Sequence, residues 1–339
     1  MGNDAPRCAL SVCGGGSYGT ALAVTVARKG LPVCLYVRNP AQLRQMREQG
    51  FNARYLPGVV FPSALTLTSS LEEAAAAAET LLLVVPSHSF REVLVKLRPR
   101  LTAQHRVAWA TKGLEPGSGA LLSEVAREVL PLGTPLAALS GPTFALELAC
   151  GLPTAIAVAG TDPQFTSALC ELMRTPTFRI YESTDFIALQ LGGAVKNVIA
   201  IACGLSDGMG YGANARTALI SRGLAEMTRF GVAMGGTEHG FMGLSGLGDL
   251  ILTCTDDKSR NRRFGYMLGQ GVEPAQALER IAQVVEGYAM TAALHTLCEK
   301  SQVQAEEMPI CSELYEVIYH GKSGRDAAMA LLTRKPRTE

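Results

Sequence analysis

The chain has 339 residues, enough for two domains with separate cores. Its 31 basic and 30 acidic residues leave a net charge of +1, which excludes the broad basic footprint of a nucleic-acid or anionic-membrane binder. With 47% hydrophobic and 18% charged residues, the composition also excludes a disordered chain.

Met1–Arg7 is short and polar, without the apolar core of a signal peptide. The strand candidates that follow are Cys8–Cys13, Val33–Val37, Leu81–Val85, Arg106–Ala110, Pro135–Leu139, Thr154–Ala159 and Phe178–Tyr181. Helical patterns at Gly19–Lys29, Ala41–Gln49, Leu71–Ala78, Ser89–Leu97, Leu121–Val129 and Asp162–Arg174 fall between most of them. This alternation predicts βαβ units and a doubly wound, mainly parallel sheet: a Rossmann domain over residues 1–184. Beyond Ser183-Thr184-Asp185, which can cap a helix, the strand signal stops. Phe186–Gly204, Ala215–Phe230, Arg260–Leu268, Pro274–Ala282, Met290–Glu299 and Ile310–Tyr319 read as helices, so residues 185–339 are expected to form an all-α domain.

Nine cysteines are scattered, odd in number and without a C-x-x-C pair, which favours a reducing cytoplasm. The five histidines are dispersed, so the chain shows no zinc constellation and no metal is expected.

Gly14-Gly15-Gly16-Ser17-Tyr18-Gly19 fits G-x-G-x-x-G between the first strand and the first helix, the context that a dinucleotide fingerprint requires. Gly14 permits the tight turn, Gly16 lets the backbone approach a pyrophosphate, and Gly19 allows close helix–sheet packing. NAD-selective sites place an acid at the end of the second strand; here Arg38 stands there, followed by Asn39. An arginine suits a 2′-phosphate, so NADPH is the expected cofactor, with NADH as the alternative. Three more strand ends carry chemical loops: Pro86-Ser87-His88, Thr111-Lys112-Gly113 and Gly141-Pro142-Thr143-Phe144-Ala145. Together at one sheet edge they outline a ligand cleft.

Lys196 is the sole charge between Phe186 and Ser206, in a pattern that fits a helix buried on most sides. With its central lysine, Gln190, Asn197 and a glycine pair, this segment reads as a core helix and not a membrane span. Desolvation lowers a lysine's pKa toward the range of proton donors and acceptors at neutral pH, whereas a snorkelling lysine would reach water. Gly246-Leu247-Gly248-Asp249 reads as a tight glycine turn carrying a carboxylate. Lys258-Ser259-Arg260-Asn261-Arg262-Arg263 opens a helix, where cations are unfavourable unless an anion sits there, so it reads as a phosphate site or else as a solvated basic surface.

These motifs, with Val85–His88, Trp109–Glu115, Ser140–Ala145, Gln190–Asn197, Gly212–Thr217, Gly246–Leu250 and Val284-Val285-Glu286-Gly287-Tyr288, resemble the bacterial NAD(P)-dependent glycerol-3-phosphate dehydrogenases from about residue 8 to residue 333. The one departure is Gly15, where alanine is more usual. The resemblance implies reversible reduction of dihydroxyacetone phosphate to sn-glycerol 3-phosphate, in the cytoplasm and for phospholipid synthesis. It implies Lys196 as the catalytic acid/base. Substrate contacts would be Lys112, Gly141, Thr143, Lys196, Asp249, Ser259, Arg260 and Asn261. Cofactor contacts would be Ser17, Tyr18, Arg38, Ala145, Val284 and Glu286, besides the glycine loop, with Lys112 and Arg260 close to both ligands. Asp249 would pair with Lys196 and oppose its desolvation, and Asn197 would orient the lysine or the substrate. A β-hydroxyacid dehydrogenase is the nearest rival, but it carries Asn four positions after its lysine, where this chain has Ala200. A non-catalytic NADPH-binding regulator would need the glycine loop but not Lys196, Lys112 and Asp249 together. A homodimer is the default for a soluble enzyme, without residue-level support.

Overall fold

The computed structural model describes residues 8–301 and 307–335; the reading of Met1–Arg7 lies outside them. The chain divides into two compact units, residues 1–111 with 122–186, and residues 112–121 with 187–339.

The first unit runs β1 (Leu10–Cys13), α1 (Ser17–Ala27), β2 (Val33–Tyr36), α2 (Pro40–Gln49), β3 (Phe51–Asn52), β4 (Leu56–Val60), β5 (Leu65–Thr68), α3 (Leu71–Ala77), β6 (Thr80–Leu83), α4 (Phe90–Leu97) and β7 (Arg106–Trp109). It continues with α5 (Leu122–Val129), β8 (Leu136–Ser140), α6 (Ala145–Ala149), β9 (Thr154–Gly160), α7 (Pro163–Met173) and β10 (Phe178–Glu182). Eight strands form one sheet in the order β10-β9-β8-β7-β6-β1-β2-β5, parallel except where β8 meets β9. The central strands are continuous apolar runs because helices cover both faces; Leu10, Val12, Leu81, Leu82, Val107 and Ala108 are wholly buried. The chain leaves β1 for β2 and β5 on one side, then returns to β6 on the other. The switch point of this doubly wound sheet therefore lies at the β1 end, where the glycine loop sits.

Every strand run read from the sequence lies on a strand. The sequence reading left out β5 and the β3–β4 hairpin, which are short and partly exposed, with Pro57 and Gly58 inside β4. Helix starts follow capping chemistry. Asn39 Oδ1 accepts from Ala41 N at 2.8 Å, Ser70 caps α3, and Asp162 caps α7 at 2.9 Å from Phe165 N.

The second unit is helical: α8 (Phe186–Gly208), α9 (Gly212–Ala233), α10 (Glu238–Phe241), α11 (Asp249–Thr255), α12 (Arg260–Gly269), α13 (Pro274–Ile281), α14 (Glu286–Ser301), α15 (Pro309–Tyr319) and α16 (Gly324–Leu332). Among the described residues α8 is long and apolar enough to cross a membrane; here it runs through this unit's core, with Leu191, Val195, Val198, Ile199 and Ile201 wholly buried. Gly246–Asp249 is not the tight turn expected. Leu244–Gly248 forms a π-helical turn that runs straight into α11, of which Asp249 is the first residue. The start of α15 has no local cap. Glu226 of α9 supplies one, accepting from Ile310 N at 2.8 Å and Cys311 N at 3.3 Å, although burial raises its carboxyl pKa to about 7.

Candidate active site

In the first unit the glycine loop divides its labour as the fingerprint requires. Gly14 has φ +144°, and a Cβ there would stand 2.1 Å from Val84 O, so the turn is closed to other residues. A Cβ on Gly19 would stand 1.9 Å from Gly14 O, which fixes how closely α1 approaches the loop. At Gly16 a Cβ would meet nothing within 4 Å, and no side chain caps α1 behind it. Open space before an uncapped helix start fits the pyrophosphate of a dinucleotide. Gly15 lies against Val37, whose Cγ2 would be 2.9 Å from a Cβ, which accounts locally for glycine in place of alanine. Ser17 and Tyr18 form the first turn of α1. Arg38 is exposed just beyond β2, and Asn39 is occupied as the cap of α2.

The loops after β6, β7 and β8 leave strands that run parallel to β1, so they share its carboxyl edge. Ser87 opens a 3₁₀ turn, and Thr111 Oγ1 donates to Val85 O at 2.8 Å, tying two of these loops together. At Gly141 a Cβ would stand 2.7 Å from Ile156 Cα, so glycine is required for β9 to pass. Thr143 and Ala145 follow it, both half-buried, with Ala145 opening α6.

In the second unit, α8, α11 and the Lys112–Leu121 segment bring three sequence-distant charges together. The Asp249 carboxylate accepts from Lys196 Nζ at 2.5 Å through Oδ1 and from Lys112 Nζ at 2.7 Å through Oδ2. Lys196 Nζ also donates to Thr253 Oγ1 at 2.9 Å, while that hydroxyl donates to Asp249 O at 2.6 Å. Lys196 and Asp249 are almost wholly buried, with Lys112 slightly more open. Burial lowers the Lys196 pKa to about 8; Asp249 opposes this shift and Lys112 adds to it. Burial pushes the Asp249 carboxyl up, but two adjacent ammonium groups outweigh it and the net shift is downward. One carboxylate shared by two cations leaves the cluster a net positive charge, suited to an oxygen that becomes negative.

The basic run takes two forms. Ser259 is the N-cap of α12, accepting from Arg262 N at 3.2 Å, and Arg260 is exposed in the first turn. Asn261 is buried: its Nδ2 donates to Asn197 Oδ1 at 2.8 Å and its Oδ1 accepts from Gly287 N at 2.9 Å. Asn197 thereby ties α8 to α12, and its remaining bond goes to Gly193 O. Val284 is exposed ahead of α14, and Glu286 is that helix's first residue.

Residues 9–166 match the N-terminal domain, and residues 185–329 the C-terminal domain, of NAD-dependent glycerol-3-phosphate dehydrogenase. The chain belongs to this family. It is 56% identical over 332 residues to the glycerol-3-phosphate dehydrogenase [NAD(P)+] of Tolumonas auensis, an alignment covering 98% of each chain. The crystal structure of the glycerol-3-phosphate dehydrogenase from Coxiella burnetii superposes with a TM-score of 0.93 at 41% identity, covering 97% of this chain and 99% of that one. The yeast glycerol-3-phosphate dehydrogenase structure, at 24% identity and a TM-score of 0.82 over 95% of this chain and 99% of that one, shows the shared fold.

Two features of this glycerol-3-phosphate dehydrogenase family member escaped the sequence reading. Thr253 joins the lysine cluster because it lies four residues after Asp249 on one helix face, a spacing visible once α11 is known. The second is a cavity of about 750 Å³ in the second unit, lined by Leu205, Tyr211, Glu226, Ile310, Leu314 and Leu331 among others. Lys112, Lys196, Asp249 and Thr253 do not line it, so it forms no part of the candidate site.

Proposed function

We propose that the chain catalyses the reversible, NAD(P)H-dependent reduction of dihydroxyacetone phosphate to sn-glycerol 3-phosphate. The observation that carries this reading is the pair of lysines on one buried carboxylate, Lys112–Asp249–Lys196. When bound, the nicotinamide supplies the hydride for the ketone carbon. As negative charge develops on the carbonyl oxygen, Lys196 donates a proton to it and Lys112 stabilises the charge. An ammonium has three N–H donors. On Lys196 Asp249 and Thr253 engage two, leaving one for the substrate oxygen. Lys196 recovers its proton from solvent, and the reverse reaction begins from the neutral amine.

Ser259, Arg260 and Asn261 hold the substrate phosphate at the start of α12, where helix dipole and guanidinium act together. Asn261 does so through the second N–H of its amide. Gly141 and Thr143 complete the substrate contacts. Gly14, Gly16, Ser17, Tyr18, Gly19, Arg38, Ala145, Val284 and Glu286 hold the cofactor, with Lys112 and Arg260 near both ligands. Apart from Lys112, Gly141 and Thr143, residues 1–184 serve mainly the cofactor and residues 185–339 the chemistry. Arg38, and no acid, at the end of β2 supports a preference for NADPH over NADH. The enzyme acts in the cytoplasm as a homodimer and supplies phospholipid synthesis.

The test is oxidation of NADPH, beside NADH, with dihydroxyacetone phosphate and with dihydroxyacetone. Fast turnover of the phosphorylated ketone alone is expected. Equal use of both ketones would remove the phosphate from the reading. In the Arg260→Ala variant, kcat/KM for the phosphorylated ketone is expected to fall roughly 10- to 200-fold, the worth of a hydrogen bond to a charged group. The unphosphorylated ketone should suffer much less.

A further inference from the structure

We propose that Asp207 is a positioning residue for phosphate recognition. It locks Arg262 so that the first turn of α12 is held in register with Lys196 and the phosphate is read by Arg260. The inference rests on the proposed phosphate anchor at Ser259–Asn261.

The run Lys258–Arg263 places four cations around one helix start, yet they are not equivalent. Arg262 is turned inward, its side chain 12% exposed, and donates through Nη2 to Asp207 Oδ2 at 2.6 Å. Its Nη1 donates to Asp257. Asp207, near the end of α8 with its side chain 7% exposed, also accepts twice from Arg216 Nη1, at 3.0 and 2.9 Å. One carboxylate therefore joins α8, α9 and α12, and gives a role to Arg216 in the Gly212–Thr217 motif. Arg262 is bound at both levels, since its backbone N–H donates to the Ser259 cap.

The strut works on a contact with little slack. Glycines at 204 and 208 of α8 face glycines at 265 and 269 of α12. A Cβ on Gly204 would stand 2.0 Å from Arg262 O, and one on Gly265 1.9 Å from Ile201 O. On Gly208 and Gly269 the distances would be 2.2 Å to Tyr266 O and 2.3 Å to Leu205 O. The two backbones touch, and the Asn197–Asn261 bond adds a tie one residue from Lys196. The proton donor on α8 and the anchor on α12 thus stand at a fixed separation. Asp207 holds the anchor's end of α12 through the residue after Asn261. Freed from this carboxylate, Arg262 would be a buried cation lacking its main partner and would pull the first turn away. A misplaced anchor loses orientation of the reacting carbon and not merely binding.

The experiment compares Asp207→Asn with the parent enzyme on dihydroxyacetone phosphate, on dihydroxyacetone and for NADPH affinity. The preference for the phosphorylated ketone, as a ratio of kcat/KM values, should fall at least about tenfold. The unphosphorylated ketone and NADPH binding should change little, and Asp207→Glu should restore most of the preference. Arg262→Gln breaks the same pair from the other side and is expected to give the same loss, which keeps the test open if Asp207→Asn fails to fold. An unchanged ratio in the folded variants, or equal losses on both ketones, overturns the inference while the functional reading stands. A parent enzyme without preference for the phosphorylated ketone overturns both.

Discussion

The glycine loop of the first unit presents backbone, whereas the lysine cluster of the second presents side chains. Gly14, Gly16 and Gly19 matter for the atoms they lack: one admits a positive φ, one leaves space, and one lets a helix approach. Lys112, Lys196, Asp249 and Thr253 matter for the charges and protons that they bring together from three segments. A dinucleotide is held by contacts that need not change during reaction. A carbonyl oxygen that acquires charge needs groups whose protonation can change. The substitutions below separate these two ways of building a site.

The largest effect is expected from Lys196→Met, which leaves the glycine loop untouched. The variant should fold and bind NADPH as the parent does, while kcat falls by about 10²–10⁴-fold, the range for a general acid. Near-normal turnover in the purified variant would remove Lys196 from the chemistry. The parent's pH profile sharpens the same point. If the ammonium is the proposed donor in ketone reduction, then with its pKa lowered to about 8 reductive kcat/KM should be level below that pH and fall above it. Oxidation of glycerol 3-phosphate needs the neutral amine and should rise through the same pKa.

Asp249→Asn tests whether the carboxylate sets this pKa. Asp249 opposes the desolvation of Lys196, whereas Lys112 reinforces it. Loss of the anion should therefore move the break in the reductive profile to lower pH and reduce turnover at pH 7. Two buried cations left without a counter-charge should also lower stability in denaturant titrations, by about 3–5 kcal/mol. A profile that breaks at the parent's pH would show that another group titrates.

The same division governs what the sequence discloses. The glycine loop is contiguous and lies between a strand and a helix, so the expectation of a dinucleotide site needs only six residues and their setting. The parallel sheet is legible because buried strands are continuous apolar runs. The cluster is different: Lys196 stands out as an isolated charge, but its partners lie 84 residues before and 53 after it, and only the fold brings them together. Family resemblance named Lys112 and Asp249; nothing local in the sequence named Thr253. Asn261 was expected at the substrate, and its buried bonds to Asn197 and Gly287 depend on helix packing that no periodicity encodes. The paired glycines of α8 and α12 were present as spacings of four in both helices, a signal of close backbone approach.

Arg38 is the side chain at the backbone-built end, and its replacement should alter selectivity rather than chemistry. If Arg38 pairs with the 2′-phosphate as proposed, Arg38→Asp puts repulsion in its place, so NADPH affinity should fall by roughly 10- to 100-fold while NADH changes far less. The two dissociation constants decide it, for equal losses would place the 2′-phosphate elsewhere.

The smallest effect, and the cleanest test of recognition through absence, comes from two single methyl groups. A Cβ on Gly16 meets no protein atom within 4 Å, and the residue has φ −82° and ψ −173°, which an alanine adopts readily. Gly16→Ala should therefore melt with the parent. Its methyl group would occupy the space proposed for the pyrophosphate at the start of α1, so NADPH affinity should fall on the order of tenfold, about 1.4 kcal/mol. Gly19→Ala introduces the same group 1.9 Å from Gly14 O. There the cost should appear in stability, at about 1–3 kcal/mol for forced overpacking. Melting temperature and NADPH affinity, measured on both variants, give a two-by-two comparison. If Gly16→Ala binds NADPH as tightly as the parent, the open space at the loop is incidental and the pyrophosphate is held by another part of the chain.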